Sequence, residues 1–277
     1  MLFMEPSETP YDLRFRLLGV PVRVHPMFWL VSGLMGLSAL RMGFQFLAIW
    51  IVCVFVSILI HELGHVAMGQ IFGERGHIVL YGFGGLAIGS NTQRLRWQRM
   101  AVSFAGPLAG FLLLGFIYAV LWAWDRDSFH YYTWVALLDL GFPENILEGL
   151  EFLQPRPMHR LIAFAIHNLI FINLLWGLIN LLPVWPLDGG MMCREACESA
   201  LPDRGLSLSL GISLLVASLL AAHCLLVVLG RRLLPLEFGS GYSAILFGIL
   251  AIQSFQLLQQ AQSRRPWGDD SWDERGY

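Results

Sequence analysis

The sequence predicts an all-α polytopic membrane protein, with about six transmembrane helices and a small membrane-associated β-hairpin between helices two and three. Composition is the first observation, since 56% of the 277 residues are hydrophobic and 14% are charged, well below the roughly 25% charged residues of soluble domains. The second observation is a series of apolar runs long enough to cross a bilayer. These two observations make the lipid bilayer the expected surrounding. The net charge of −2 does not favour a nucleic-acid partner.

The six predicted spans are separated by short connections. A β-hairpin is predicted over 77–89, where two apolar stretches flank Gly82-Phe83-Gly84-Gly85. The alternation of Val20, Val22 and Val24 predicts a short strand or surface segment, and 144–153 is compatible with a short interfacial helix. The predicted spans are 27–40, 44–72, 100–124, 161–182, 206–229 and 242–258.

An even number of spans places both termini on one side of the membrane. Twelve of the 18 arginines then lie on the side of the termini and six on the other side, and cytoplasmic loops carry the excess of positive charge. We therefore expect a cytoplasmic segment over 1–25, a membrane domain over 26–262 and a charged cytoplasmic tail over 263–277.

The motif His61-Glu62-Leu63-Gly64-His65 lies inside the second predicted span. Residues four apart share a helix face, so the two histidines can bind one metal ion, and Glu62 lies beside it to handle the proton of a water ligand. Ionisable groups are expensive within lipid, which makes a chance occurrence of the motif there unfavourable. The motif predicts a metalloprotease that cuts within the membrane.

A catalytic zinc site needs a third protein ligand. Asp188 is favoured, because it follows a proline-broken span end, where non-helical backbone can line a polar cavity. Its alternative role is as the N-cap of a helix beginning near Met191. His77, His167 and His223 remain competitors for the third position. Cys193 and Cys197 have no further cysteines nearby, which disfavours a separate zinc site.

Besides the histidine motif, four segments of the sequence are distinctive, namely Gly19-Val20-Pro21-Val22-Arg23-Val24-His25-Pro26, Gly82-Phe83-Gly84-Gly85, Ala105-Gly106-Pro107 and Asn180-Leu181-Leu182-Pro183-Val184-Trp185-Pro186-Leu187-Asp188-Gly189. Together with the motif, these segments resemble the site-2 protease family of intramembrane zinc metalloproteases, peptidase family M50. The resemblance is to compact bacterial members of the sporulation-factor type, without PDZ or CBS domains.

The resemblance implies one Zn²⁺ bound by His61, His65 and Asp188, with Glu62 as the catalytic acid and base. It also implies that Asn180, Gly84 and Gly85 contribute to substrate binding or to the oxyanion site. The expected activity is that of a zinc metalloendopeptidase cleaving a membrane-anchored protein in the inner membrane of a bacterium. The alternatives are a metal transporter, which needs ligands distributed through several spans, and a catalytically silent scaffold that binds membrane helices.

Overall fold

A computed structural model describes residues 6–82, 84–142, 153–231 and 239–263, and these fall into two compact units. The first unit contains the described residues up to Leu182 and the second contains those from Pro183 onward. The first unit has helices α1 Pro26–Met35, α2 Leu37–Leu40, α3 Phe44–Ile71, α4 Arg96–Trp124, α5 Arg126–Asp139 and α6 Arg160–Asn180. The second has α7 Asp188–Ala200, α8 Gly205–Val228 and α9 Gly241–Ser263.

Five helices of the described chain are long and apolar enough to cross a membrane, namely α3, α4, α6, α8 and α9. Each matches a predicted span to within a few residues. The first predicted span, 27–40, differs, because it forms the two shorter helices α1 and α2 with a break at Gly36. A side chain at Gly36 would collide with the indole of Trp50, whose Nε1 donates to the carbonyl of Ser32 at 3.0 Å.

The predicted hairpin forms, but it is half of a larger sheet. Strands β1 Leu13–Leu17, β2 Val20–Val24, β3 His77–Tyr81 and β4 Gly84–Ile88 are joined in that order. β1–β2 and β3–β4 are antiparallel, whereas β2 and β3 run parallel with Val22 opposite Ile78. Tyr81 pairs with Gly84, so the two glycines predicted in the turn, Gly84 and Gly85, lie within β4.

The sheet is held on the motif helix by an apolar core. Buried valines of β2 and the buried side chains of Ile78 and Leu80 in β3 pack with Phe28 and with the face of α3 that carries Val54 and Ile58. This core fixes the position of β4 relative to α3. The alternation predicted for Val20, Val22 and Val24 is confirmed as one buried face of a strand.

The polar connection 125–160 contains a helix that the hydropathy pattern does not reveal. Asp125 caps α5, since its carboxylate accepts hydrogen bonds from the backbone N–H and hydroxyl of Ser128 at 2.9 and 2.7 Å. Tyr132 and Ala136 then pack against α4 and α6. The predicted interfacial helix over 144–153 and the predicted tail over 263–277 fall almost entirely outside the described residues.

In the second unit, α8 packs against α7 and α9. Ser213 of α8 and Ser254 of α9 share a buried hydrogen bond of 2.7 Å, and the Ser213 hydroxyl also accepts from the backbone N–H of Trp185 at 2.7 Å. These bonds attach the segment before α7 to a membrane-spanning helix.

Candidate metal centre

The two motif histidines lie one turn apart on the buried face of α3. Their Nε2 atoms are 3.1 Å apart, and neither side chain is exposed by more than 7%. The rings meet nearly edge to face, with an angle of 79° between their planes. The pair is thus oriented so that one nitrogen of each ring points to a common position.

A backbone carbonyl sets the tautomer of His65. Its Nδ1 lies 2.7 Å from the carbonyl oxygen of Val102 in α4. A carbonyl only accepts, so Nδ1 carries the proton, and in the neutral ring Nε2 keeps its lone pair. A metal-binding histidine usually has such a bond at its second nitrogen, which fixes the orientation of the ring. Sequence patterns give no signal for this carbonyl.

The spacing of the two nitrogens fits zinc. Two nitrogens bound at about 2.0–2.1 Å to a tetrahedral ion are roughly 3.3 Å apart. The observed separation of 3.1 Å is close to that value. Imidazole nitrogen is also a preferred zinc ligand, so both the chemistry and the geometry of the pair suit this metal.

Gly106 of α4 lies against both imidazoles. A Cβ at this position would collide with Nε2 of His65 and would lie 2.8 Å from Nε2 of His61. Gly64 allows the same close approach from the other side, since a Cβ there would collide with the carbonyl of Ala105. Gly106 therefore keeps free the space beside the two nitrogens, and Gly64 lets α3 and α4 pack closely there. The segment Ala105-Gly106-Pro107, which carries part of the family resemblance, was the available signal for Gly106, although it did not indicate contact with the two histidines.

Glu62 is buried beside the β-hairpin. A Cβ added to Gly85 would lie 2.5 Å from both the carboxyl carbon and Oε1 of Glu62. The predicted acid–base residue therefore contacts the backbone of β4. Gly84 differs, because a Cβ there would meet only Trp176, at an ordinary distance of 3.6 Å.

Asp188 is the first residue of α7, in the second unit, and it is partly buried. The alternative role as N-cap is wrong, because the helix begins at Asp188 itself and Leu187 occupies the cap position. Gly190 is required by the preceding turn, since a Cβ there would collide with the carbonyl of Val184.

The other predicted residues have partners or positions of their own. His167 on α6 lies 3.7 Å from the carboxylate of Asp139 on α5. His77 begins β3, and His223 is buried within α8. The amide of Asn180, at the end of α6, donates to the carbonyl of Trp176 one turn earlier at 3.0 Å.

A buried pair of histidines with an adjacent glutamate, inside a membrane-spanning helix, defines a membrane-embedded metal site of the hydrolytic type. The family model for peptidase family M50 matches residues 49–220, which is more than half of the chain. The chain belongs to this family.

Two curated relatives cover most of the chain. Stage IV sporulation protein FB of Bacillus subtilis is 27% identical over 242 residues, covering 86% of this chain and 66% of the relative. A zinc metalloprotease of Methanocaldococcus jannaschii is 25% identical over 228 residues, covering 79% of this chain and 57% of the relative. The chain thus spans about two thirds or less of these proteins. A solved structure of the site-2 protease from Methanocaldococcus jannaschii aligns over 94% of this chain and 97% of that one, with 23% identity and a TM-score of 0.45.

Proposed function

We propose that this protein is an intramembrane zinc metalloendopeptidase. It hydrolyses a peptide bond within or near the transmembrane segment of a membrane-anchored protein. The observation that carries the proposal is the buried pair of imidazole nitrogens, 3.1 Å apart, with Glu62 on the same membrane-spanning helix. Membership of peptidase family M50 and the names of the relatives support the same activity.

In this proposal His61, His65 and Asp188 hold the zinc ion. Two histidines and a carboxylate form a familiar catalytic zinc set that leaves a fourth position for water. Asp188 suits the role because it is a partly buried carboxylate that follows the proline-interrupted end of a membrane helix. The family model also covers both the motif and Asp188. His167 is a weaker alternative, because it lies next to Asp139.

Zinc, when bound, lowers the pKa of a coordinated water towards ~7 and polarises the scissile carbonyl. The residues of the chain supply the proton transfers and the positioning. Glu62 accepts the proton of the attacking water and then donates it to the leaving nitrogen. Val102 holds the His65 ring in the tautomer that presents Nε2. Burial of all three motif side chains excludes bulk water and strengthens the electrostatic interactions among them.

The substrate must unwind locally, because the carbonyls of an intact helix are bonded along its axis. We infer that the unwound segment pairs with β4, which is an edge strand among the described residues. Gly85 supports this role, because it places the backbone of β4 beside Glu62. Gly84 would contribute to the same edge. Asn180 is proposed as a substrate or oxyanion contact. One N–H of its side-chain amide donates to the Trp176 carbonyl, and the second N–H or the amide oxygen would make the proposed contact.

The proposal includes a topology and a location. The chain crosses the inner membrane of a bacterium six times, with α1 and α2 supplying the additional crossing. Residues 1–25 and 263–277 are cytoplasmic, and 26–262 form the protease domain. The excess of arginine on the side of the termini supports this orientation.

The proposal is tested by comparing the membrane proteomes of cells that carry the wild-type protein with those of cells that carry Glu62→Gln. This change keeps the size of the side chain but removes its base, so cleavage should fall by at least about 10²-fold. Intact substrate should accumulate, and zinc measured on the purified variant should be unchanged. Glu8→Gln, a matched change at an exposed carboxylate, should behave as wild type. Identical cleavage products in Glu62→Gln cells would contradict the proposal, and metal flux into proteoliposomes without cleavage would indicate a transporter.

A further inference from the structure

A second site lies at the end of the motif helix, apart from the histidines. A groove of about 650 Å³ is formed by the turn between β1 and β2, the last turn of α3 and the segment that leads into β3. Its volume is in the range of pockets that bind small ligands. Its polar and charged lining comes from Arg16, Gln70, Glu74, Arg75 and His77.

The groove carries an excess of positive charge. Arg16 and Arg75 are exposed, and neither has an ion pair with a described residue. Glu74 is the one carboxylate in the lining. Two other arginines of the sheet differ, since Arg14 binds Glu8 at 2.9 Å and Arg23 binds Asp12 at 3.1 Å. The two arginines of the groove therefore exceed its single carboxylate, whereas the other two arginines are paired.

The C-terminal end of α3, which disfavours an anion, is closed by a turn that reduces this effect. Its last carbonyls repel an anion, but those of Gly69 and Gln70 are hydrogen-bonded within the turn, which weakens the repulsion. The N–H of Gly73 donates to Gln70 and that of Glu74 to Gly69, each at 3.0 Å. Gly73 has a φ of +88°, the left-handed conformation that closes a helix in this way.

The groove lies near the expected surface of the membrane, where the available anions are lipid headgroups. Gln70 belongs to a membrane-spanning helix, and Glu74 follows its end. Trp97, in the first turn of α4, is 58% exposed and contacts Phe72 with ring centroids 5.3 Å apart. Exposed tryptophans at span ends lie at the level of the lipid headgroups. The groove opens where phosphodiesters are abundant.

We propose that this groove binds the phosphate of an anionic phospholipid headgroup, with Arg16 and Arg75 as its cationic contacts. Guanidinium groups match phosphate in charge and in bidentate hydrogen-bonding geometry. A soluble phosphate has the same chemistry, so the experiment must distinguish the two sources. The inference rests on membrane insertion and does not depend on the protease proposal.

The test uses the full chain purified in detergent, titrated with short-chain phosphatidylglycerol while bound lipid is measured by native mass spectrometry. Parallel titrations use short-chain phosphatidylcholine and inorganic phosphate. The wild type should prefer phosphatidylglycerol. Each arginine near an anionic surface contributes about fivefold, so the double variant Arg16→Gln/Arg75→Gln should bind roughly 30-fold more weakly. The variant with lysine at both positions should recover much of the affinity, which separates charge from misfolding.

The control is Arg41→Gln/Arg160→Gln, which removes two exposed arginines that do not line the groove and should keep wild-type affinity. Equal losses in the two double variants, or no loss in either, would overturn the site. Inorganic phosphate that competes with the lipid at similar concentrations would overturn the lipid as its source. Equal affinity for phosphatidylcholine would overturn the anionic preference.

Discussion

At the scale of single residues, two glycines decide how much space surrounds the reactive side chains. Gly106 contacts the Nε2 atoms of His61 and His65, and Gly85 contacts the carboxylate of Glu62. A methyl group at either position occupies space that the proposed chemistry needs. The two positions differ in what a substitution would disturb, because one borders the proposed metal ligands and the other borders the proposed acid–base residue.

Gly106→Ala should prevent zinc binding. The new methyl group would collide with Nε2 of His65 and lie 2.8 Å from Nε2 of His61, so the two rings must separate. We expect the zinc content of the purified protein, measured by mass spectrometry, to fall well below one ion per chain. The control is Gly115→Ala on the same helix, where a Cβ meets nothing within 4 Å. A full complement of zinc in Gly106→Ala would show that the metal does not bind between these nitrogens.

Gly85→Ala should lower the turnover number without removing zinc. The methyl group would lie 2.5 Å from the carboxyl carbon of Glu62, which forces that flexible side chain to rotate away. We expect kcat to fall by about 10²-fold, the size of a typical acid–base contribution. Gly84→Ala, whose methyl group meets only Trp176 at 3.6 Å, should keep kcat and can change KM alone. The assay uses the protein that accumulates in Glu62→Gln cells, and equal kcat values in the two variants would contradict the role given to Gly85.

At the scale of elements, hydropathy predicts those helices whose sequences are uniformly apolar. α3, α4, α6, α8 and α9 were predictable because lipid requires about 20 consecutive apolar residues. α5 and α7 have mixed sequences, and their signals are local, such as the Asp125 cap of α5. The parallel pairing of β2 with β3 joins Val22 to Ile78 across 56 positions, and no short-range pattern encodes that contact.

The features of the candidate site also fall into those that a local sequence pattern predicts and those that it does not. The motif predicted that His61 and His65 lie together, because residues four apart share a helix face, and their Nε2 atoms are 3.1 Å apart. The carbonyl of Val102 and the contact of Gly85 with Glu62 depend on how α4 and β4 pack against α3. Those contacts arise from tertiary packing, which the sequence pattern does not specify.

A polar contact between α3 and α6 should contribute to stability within the membrane. The amide of buried Asn173 donates to the hydroxyl of Ser57 at 2.9 Å. Ser57→Ala removes this bond and should reduce the free energy of unfolding by about 1 kcal/mol, as typical for such bonds between membrane helices. The measurement is the unfolding midpoint in detergent. Ser209→Ala is the matched control, because among the described residues that hydroxyl donates to the Leu206 carbonyl of its own helix and to no other helix. Equal midpoints for the two variants would indicate that the contact between helices contributes nothing.

At the scale of the whole molecule, the number of crossings depends on the shortest apolar segment. Five helices of the described chain have the length of a span, and five crossings would place the termini on opposite sides. α1 and α2 together cover 26–40, which is roughly 22 Å of helix against about 30 Å of hydrocarbon. The arginine distribution nevertheless favours six crossings, because six crossings divide the 18 arginines 12 to six between the two sides, whereas five crossings divide them equally.

Site-directed labelling distinguishes five crossings from six. Single cysteines replace exposed Glu8, Arg156 or Gln262 in a chain whose four native cysteines are changed to serine or alanine. With six crossings, a membrane-impermeant maleimide added outside intact cells should label the cysteine at 156 and spare those at 8 and 262. The two spared positions are protected because positively charged segments remain in the cytoplasm. Disruption of the membrane should therefore expose all three cysteines to the reagent. If the cysteines at 8 and 262 react from opposite sides, α1 and α2 do not cross the bilayer, and the protein has five spans.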